Sequence, residues 1–425
     1  MFKAVAGYYK DNERLRLLVK IIAVWLISRA VMLLMVPVMN LIADEPHQWL
    51  YYMNPWDAEW YKGIVENGYQ PPKSSGMASW AFFPLYPLVC MAVRLVTMGS
   101  IDTYAVGMTV SNICIIIAVY YAVKYADIEL DMKKYNKKTV EDIIIFLMLA
   151  GPFAVYYGAM YTEALFILCV ILCFYNSGIA AAMASATRIV GCMLVFVLIT
   201  YMFMEACAEC RAKHNSEMKD NKEAGIIDKY MLTDEAGIML AGNISLASVI
   251  RTFIKNVIKE PKKLVAIMIS PLGIFIYMNY LRYLCGDSWA FYHVQRAWRT
   301  QKMFPVIGVL FKSCTGQLTA ASGVKTLNGI ILGWLCVITL MLYAAMIRKK
   351  HYALGIFGII VLLIPLTSSV MSTLRFIMGS FVIYIGVAEI IAGCNRYVRY
   401  GIIALMSIVE VVVISAWYFW DGLLM

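Results

Sequence analysis

The sequence contains few charged residues for its length. Only 15% of its 425 residues are charged, whereas 62% are hydrophobic. Soluble domains have roughly 25% charged and 45–50% apolar residues, so this composition excludes an ordinary soluble domain. We interpret the chain as an all-α polytopic membrane protein. Its first apolar run is long and lacks a small-residue cleavage site, so we expect a retained helix and not a cleaved signal peptide.

Signatures of metal and nucleotide sites are also missing. The eleven Cys residues lie mostly inside apolar runs, and the pair Cys207 and Cys210 has no second pair, so we expect free thiols. The patterns GxxxxGK, GxGxxG, HExxH and GxSxG are absent. The polar segment 205–263 is too short to form a soluble nucleotide-binding domain.

Eleven apolar segments are candidates for membrane spans. They are 21–39, 106–123, 143–157, 164–175, 179–186, 190–204, 264–284, 328–347, 353–366, 376–392 and 401–418. The segment 82–99 is apolar too, but it carries two prolines and Arg94, so we expect an interfacial amphipathic helix there.

The basic residues indicate how the chain crosses the membrane. The formal charge is +10, but Lys and Arg lie between apolar runs, so they indicate topology and not a nucleic-acid partner. With the N-terminus inside, the inner segments hold 25 of the 37 Lys and Arg residues. We therefore expect one domain, 1–425, with an outer catalytic loop at 40–105, a cytoplasmic insertion at 205–263 and a second outer loop at 285–326.

The first outer loop contains an acidic residue among aromatic side chains. Its sequence WDAEWYKGIVENGY places Asp57 beside Trp56, Trp60 and Tyr61. A carboxylate at a membrane surface can act as a general base toward a sugar or lipid hydroxyl, and aromatic faces suit sugar rings. The alternative is an aromatic belt at the interface with Asp57 as a helix cap.

Two arginines are candidates for binding an anion. Arg188 lies inside an apolar stretch, where an uncompensated charge is costly, so it is a functional candidate by default. Arg375 follows Ser372 and Thr373, and hydroxyl groups with a guanidinium suit a phosphate. The alternatives are a snorkelling Arg188 at a helix end and an ordinary interfacial Arg375.

Three further residues are candidates for substrate binding. Glu163, in MYTEAL, could orient a sugar hydroxyl or pair with Arg188, or it could simply favour the dipole at a helix start. His293 and Gln295, in GDSWAFYHVQRAWR, could contact a phosphate or an acceptor. A basic amphipathic helix on lipid headgroups would explain the same segment.

Together these pieces resemble the PIG-V-type mannosyltransferase family of the GT-C class of integral membrane glycosyltransferases. The resemblance is carried by WDAEWYKGIVENGY with FFPLYPL, then YTEALF, SATRIVG and GDSWAFYHVQRAW, and more loosely by STLRF. It implies a GT-C-like bundle of about 11 transmembrane helices. It also implies a large first outer loop with interfacial helices. The many Lys residues suggest a bacterial plasma membrane.

The resemblance implies transfer of mannose or another hexose from a polyprenyl-phosphate-linked donor, with inversion, at the outer face. Asp57 would be the base, Arg188 and Arg375 would bind the donor phosphate, and the acceptor would be a glycan or glycolipid. Since such a donor carries one phosphate, no metal or other cofactor is demanded, although Asp44 and Glu45 leave a divalent cation as an open alternative. A transporter or flippase of a lipid-linked sugar is the main alternative, although it should show internal repeats; a scaffold subunit is a third.

Overall fold

The computed structural model describes residues 12–43, 46–223, 245–297, 305–317, 326–367 and 370–420. Within these ranges the chain is helical and contains no β-strand. The predicted all-α membrane architecture is therefore confirmed. Parts of the predicted cytoplasmic insertion (224–244) and of the second outer loop (298–304 and 318–325) lie outside the described residues.

The described residues form nineteen α-helices. In chain order, α1 to α19 are Glu13–Ile42, Trp49–Met53, Asp57–Asn67, Leu85–Val96, Thr103–Glu129, Lys137–Leu149, Glu163–Phe174, Gly178–Ser185, Leu194–Glu223, Leu246–Lys259, Pro261–Ile269, Leu272–Cys285, Ala290–His293, Val306–Cys314, Thr326–Arg348, Tyr352–Leu366, Thr373–Gly379, Val382–Gly393 and Arg396–Tyr418. Short 3₁₀ segments lie at Ser79–Ala81, Ala154–Tyr157, Ile189–Met193 and Val294–Ala297.

Six helical spans in the described residues are long and apolar enough to cross a membrane, or seven if one bent pair counts as a span. The six are Glu13–Ile42, Thr103–Glu129, Ile189–His214, Pro261–Cys285, Thr326–Arg348 and Arg396–Tyr418. The predicted number of eleven is not confirmed, because several of the predicted segments form shorter helices. The predicted span 143–157, for example, is not one helix: α6 ends at Leu149 and a 3₁₀ turn follows.

The helix α7 lies at the centre of the bundle. Nearly all of its side chains are buried, and it packs against α5, α8, α9 and α17. With 12 residues it is about 18 Å long, which is shorter than the roughly 30 Å apolar core of a bilayer. Because the helix is short and buried, its first residue, Glu163, lies inside the protein.

Two breaks in the helices next to α7 place polar side chains in the interior. The chain between α8 and α9 breaks at Thr187 and Arg188, as the sequence predicted, and continues as a 3₁₀ segment. There Gly191 packs so closely on α8 that a Cβ atom would lie 2.2 Å from the carbonyl carbon of Ala184. The second break separates α17 from α18, whose axes differ by 72°.

The predicted insertion is partly helical. Helix α9 continues through Glu223, well beyond the apolar segment that ends at 204, and α10 packs alongside it. Among the residues of helix α10, only Val249 is buried, so the helix lies largely at the protein surface.

Candidate active site

Asp57 is held at the start of α3 by hydrogen bonds to a turn more than a hundred residues later in the chain. The Tyr161 hydroxyl donates to the carbonyl of Pro55 at 2.7 Å, and the backbone N–H of Asp57 donates to that hydroxyl at 3.3 Å. The side chain of Asn54 accepts from the N–H of Met160 at 2.8 Å. This turn leads directly into α7, so the same contacts bring Asp57 close to Glu163.

The backbone just before Asp57 adopts an uncommon conformation. Trp56 has a φ of +47°, in a region that residues other than glycine rarely adopt. Its indole ring packs edge-on against Trp417, with 5.4 Å between ring centroids. Such strain persists only where surrounding contacts hold it, and it occurs often at functional sites.

Four charged side chains from four parts of the chain meet around Glu163. Arg375 Nε donates to Glu163 Oε1 at 2.5 Å, and Arg188 Nη1 donates to the same oxygen at 2.8 Å. Arg375 Nη1 also donates to Asp57 Oδ2. We call Asp57, Glu163, Arg188 and Arg375 the charge cluster. It contains two acids and two bases, so its formal charge is zero.

Burial differs sharply among the four side chains. Glu163 is fully buried, Arg375 and Arg188 are 8% and 11% exposed, and Asp57 is 24% exposed. Breaking a buried ion pair by removing one partner costs about 3–5 kcal/mol, because the other charge is left unpaired. The charge cluster thus consists of two nearly buried cations, Arg188 and Arg375, a buried carboxylate between them and the more accessible carboxylate of Asp57 at its edge.

Aromatic rings fix the directions of both guanidinium groups. Arg188 lies 4.8 Å from the ring centroid of Phe376 and 5.8 Å from that of Phe166, and Arg375 lies 4.8 Å from that of Tyr161. Cation–π contacts of this kind stabilise a desolvated guanidinium and hold its plane. These ring contacts were not predicted from the sequence. The only local signal was the position of Tyr161 and Phe166 on either side of Glu163.

The match to a family model covers residues 15–233, slightly more than half of the chain, and the family is described as Mannosyltransferase (PIG-V). The chain belongs to the PIG-V mannosyltransferase family. The matched part includes Asp57, Glu163 and Arg188 but ends before Arg375. Membership confirms the resemblance found in the sequence and supports a glycosyltransferase function in the membrane.

Among solved structures, two of an oligosaccharyltransferase from Archaeoglobus fulgidus are weakly similar. One, AglB in complex with an inhibitory peptide and a dolichol-phosphate, shares 12% identity with a TM-score of 0.41 over 98% of this chain and 56% of that chain. The other, tethered to an acceptor peptide containing the NVT sequon, shares 11% identity with a TM-score of 0.43 over 97% and 56%. This chain therefore spans about half the length of those proteins. No match was found among curated proteins.

The aromatic residues predicted to bind substrate take different positions in this PIG-V family member. Trp60 stacks on Phe82 with ring centroids 5.6 Å apart, and Lys73 lies 4.7 Å from the centroid of the Trp60 ring. Tyr61 is buried and packs edge-on against Phe82. Trp56 and Trp60 are partly exposed and Tyr61 is not, so the two tryptophans are better placed to contact a sugar.

His293 and Gln295 lie on a different part of the surface. His293 Nδ1 is 2.6 Å from Asp287 Oδ2, and this hydrogen bond lowers the pKa of the exposed Asp287 carboxyl. In the described ranges, no hydrogen bond or ion pair joins either residue to the charge cluster. The segment packs instead on the 3₁₀ turn at Ser79–Ala81 of the first loop. Their predicted substrate contacts stay predictions.

No group of three or more His, Cys, Asp or Glu side chains that could hold a metal ion occurs in the part of the chain that the structure describes. The expectation that the reaction demands no metal stays a prediction. All eleven Cys residues are free thiols, as expected. A cavity of about 140 Å³ lies elsewhere, between α9 and α11, and none of the charge cluster lines it.

Proposed function

We propose that this protein is an inverting glycosyltransferase that moves a hexose from a polyprenyl-phosphate-linked donor to a glycan or glycolipid acceptor at the outer membrane face. Mannose is the sugar that the family description favours. The observation that carries the proposal is the charge cluster, in which an accessible carboxylate and two oriented guanidinium groups meet inside a helical membrane bundle.

The roles follow from burial and chemistry. Asp57 is the most exposed member of the cluster, so it is the group that can reach an acceptor hydroxyl. As that oxygen bonds to the anomeric carbon, its proton passes to the Asp57 carboxylate. The bond between the anomeric carbon and the phosphate oxygen breaks, and its electron pair leaves with the polyprenyl phosphate. Attack opposite the leaving group inverts the anomeric centre, as in inverting glycosidases.

Arg188 and Arg375 suit the leaving group. Planar guanidinium groups donate paired hydrogen bonds to phosphate oxygens, and positioned cations stabilise charge that grows in the transition state. A phosphate is already a good leaving group, so no strong general acid is needed. The partly exposed rings of Trp56 and Trp60 are suited to contact the sugar.

The test compares Asp57→Asn with Glu59→Gln in a transfer assay that uses radiolabelled polyprenyl-phosphate-mannose and membrane extract as acceptor. Asp57→Asn keeps the shape but cannot take a proton, so we expect transfer to fall by about 10²–10⁴. Glu59 is exposed on the same helix and serves as the matched control, with much less loss expected.

Near wild-type transfer by folded Asp57→Asn would remove Asp57 from the role of base and make Glu163 the next candidate. If the wild-type protein transfers no sugar in this assay and cells lacking the protein fail to export a lipid-linked sugar, the transporter alternative is correct.

A further inference from the structure

The two acids of the charge cluster hold Arg375 in different ways. Glu163 Oε1 accepts from both Arg375 and Arg188, at 2.5 and 2.8 Å, and is fully buried. Asp57 accepts from Arg375 alone, and its side chain is 24% exposed. A ligand arriving from the surface can therefore replace Asp57 on Arg375 far more easily than it can replace Glu163.

Two guanidinium groups that share one carboxylate oxygen carry like charges in close proximity. In a low-dielectric interior their repulsion is large, and the carboxylate between them is what allows both to stay. Because α7 is buried on nearly every side, Glu163 has little freedom to move away. Glu163 therefore holds the guanidinium groups of Arg188 and Arg375 in fixed positions.

We propose that Glu163 is a positioning residue that holds Arg188 and Arg375 together as a binding site for the donor phosphate, and that this phosphate displaces Asp57 from Arg375. The inference rests on the proposed function and adds the order in which Arg375 changes its partner. Before the donor binds, the Asp57 carboxylate is occupied by Arg375. When the donor phosphate takes that guanidinium, the carboxylate is released to accept the proton of the acceptor.

The formal charges balance over these reaction steps. The donor is a phosphodiester with one negative charge, so the cluster with donor bound carries a formal charge of −1. After transfer, Asp57 is protonated and neutral, and the polyprenyl phosphate monoester carries the charge that Asp57 lost. The site therefore has the same total charge before and after the reaction, and release of the product with proton loss from Asp57 restores the Arg375–Asp57 pair.

The proposal predicts that substitutions of Asp57 and Glu163 have opposite effects on phosphate binding. The measurement is the dissociation constant of radiolabelled polyprenyl phosphate for the full-length protein in phosphatidylcholine nanodiscs. Asp57→Asn removes a competitor for Arg375, so binding should tighten by about threefold or more. Glu163→Gln leaves the two arginines less well held, so binding should weaken by at least about tenfold. Glu59→Gln should bind like wild type.

Because Glu163 is buried, each variant is compared with wild type for elution volume and melting temperature before binding is measured. Weaker binding by Asp57→Asn would overturn the displacement of Asp57, and unchanged binding by folded Glu163→Gln would overturn the positioning role. If Glu163→Gln does not fold, the Asp57→Asn result decides the displacement, and Glu163→Asp, whose shorter carboxylate should restore binding only in part, decides the positioning. Transfer activity is measured separately, so a wild-type protein that binds polyprenyl phosphate as described but transfers no sugar would refute the proposed function alone.

Discussion

The ion-pair network around His351 predicts how stability depends on pH. His351 lies in the turn between α15 and α16, and its Nδ1 is 2.8 Å from Glu129 Oε1 at the end of α5. On its other side, Nε2 is 3.9 Å from Glu389 Oε2 of α18. Glu389 also contacts Lys349 at 2.9 Å and accepts from Tyr135 at 3.1 Å. The network thus joins distant helices at one end of the bundle.

Burial alone would lower the pKa of His351, but the hydrogen bonds with Glu129 and Glu389 outweigh it and raise the pKa to about 9. The ordinary value is about 6.5, and each unit of difference is worth about 1.4 kcal/mol, which gives an upper bound of roughly 3 kcal/mol. Since water still reaches part of the network, we expect about half of that, or roughly 1.5 kcal/mol.

The direction of this pH dependence follows from which state, folded or unfolded, binds the His351 proton more tightly. The folded protein does, so the contribution is complete below about pH 6.5 and is lost as the pH rises through about 9. We expect the melting temperature of the detergent-solubilised wild type to exceed that of His351→Gln by about 2 °C near pH 6. The difference should shrink toward zero near pH 10.

Lysine side chains also begin to lose protons at high pH, which is why the readout is the difference between the two proteins and not the wild-type curve alone. His293→Gln is the matched control, because His293 pairs with Asp287 in the same short segment and, among the described residues, joins no distant helices. A difference in melting temperature between wild type and His351→Gln that stays constant from about pH 6 to pH 10 would show that protonation of His351 does not stabilise the fold.

Two other predictions follow from the site and the topology. Arg188→Ala should raise the donor KM and slow transfer, whereas Arg188→Lys should recover part of the loss because it keeps the charge but not the fork geometry; normal donor kinetics in Arg188→Ala would mean that Arg188 is structural. For the topology, single cysteines at Asn67 and Asn221, placed in a background without reactive native thiols, should be labelled from the outer and inner sides respectively. Outer labelling at Asn221 but not at Asn67 would reverse the layout.

Part of the fold was predictable because hydropathy and local motifs are properties of short windows. The apolar segments at 21–39, 106–123 and 401–418 lie within the long helices α1, α5 and α19. The break at Arg188 was also visible, since a charged residue there interrupts an apolar run. Hydropathy summed over a window of residues does not reveal where a helix bends, however. The segment 376–392 was therefore predicted as one span, although the chain turns by 72° between α17 and α18.

The family, the membrane class and the residue types of the candidate site could be predicted from the amino-acid sequence, because these depend on composition and on contiguous motifs such as WDAEWYKGIVENGY. Which charges meet depends on how the helices pack. Asp57 and Arg375 are 318 residues apart in the chain, and no local pattern links them. Glu163 could equally have faced a sugar, yet the packing of α7 buries it between two arginines, because a carboxylate in that interior is stable only when its charge is matched.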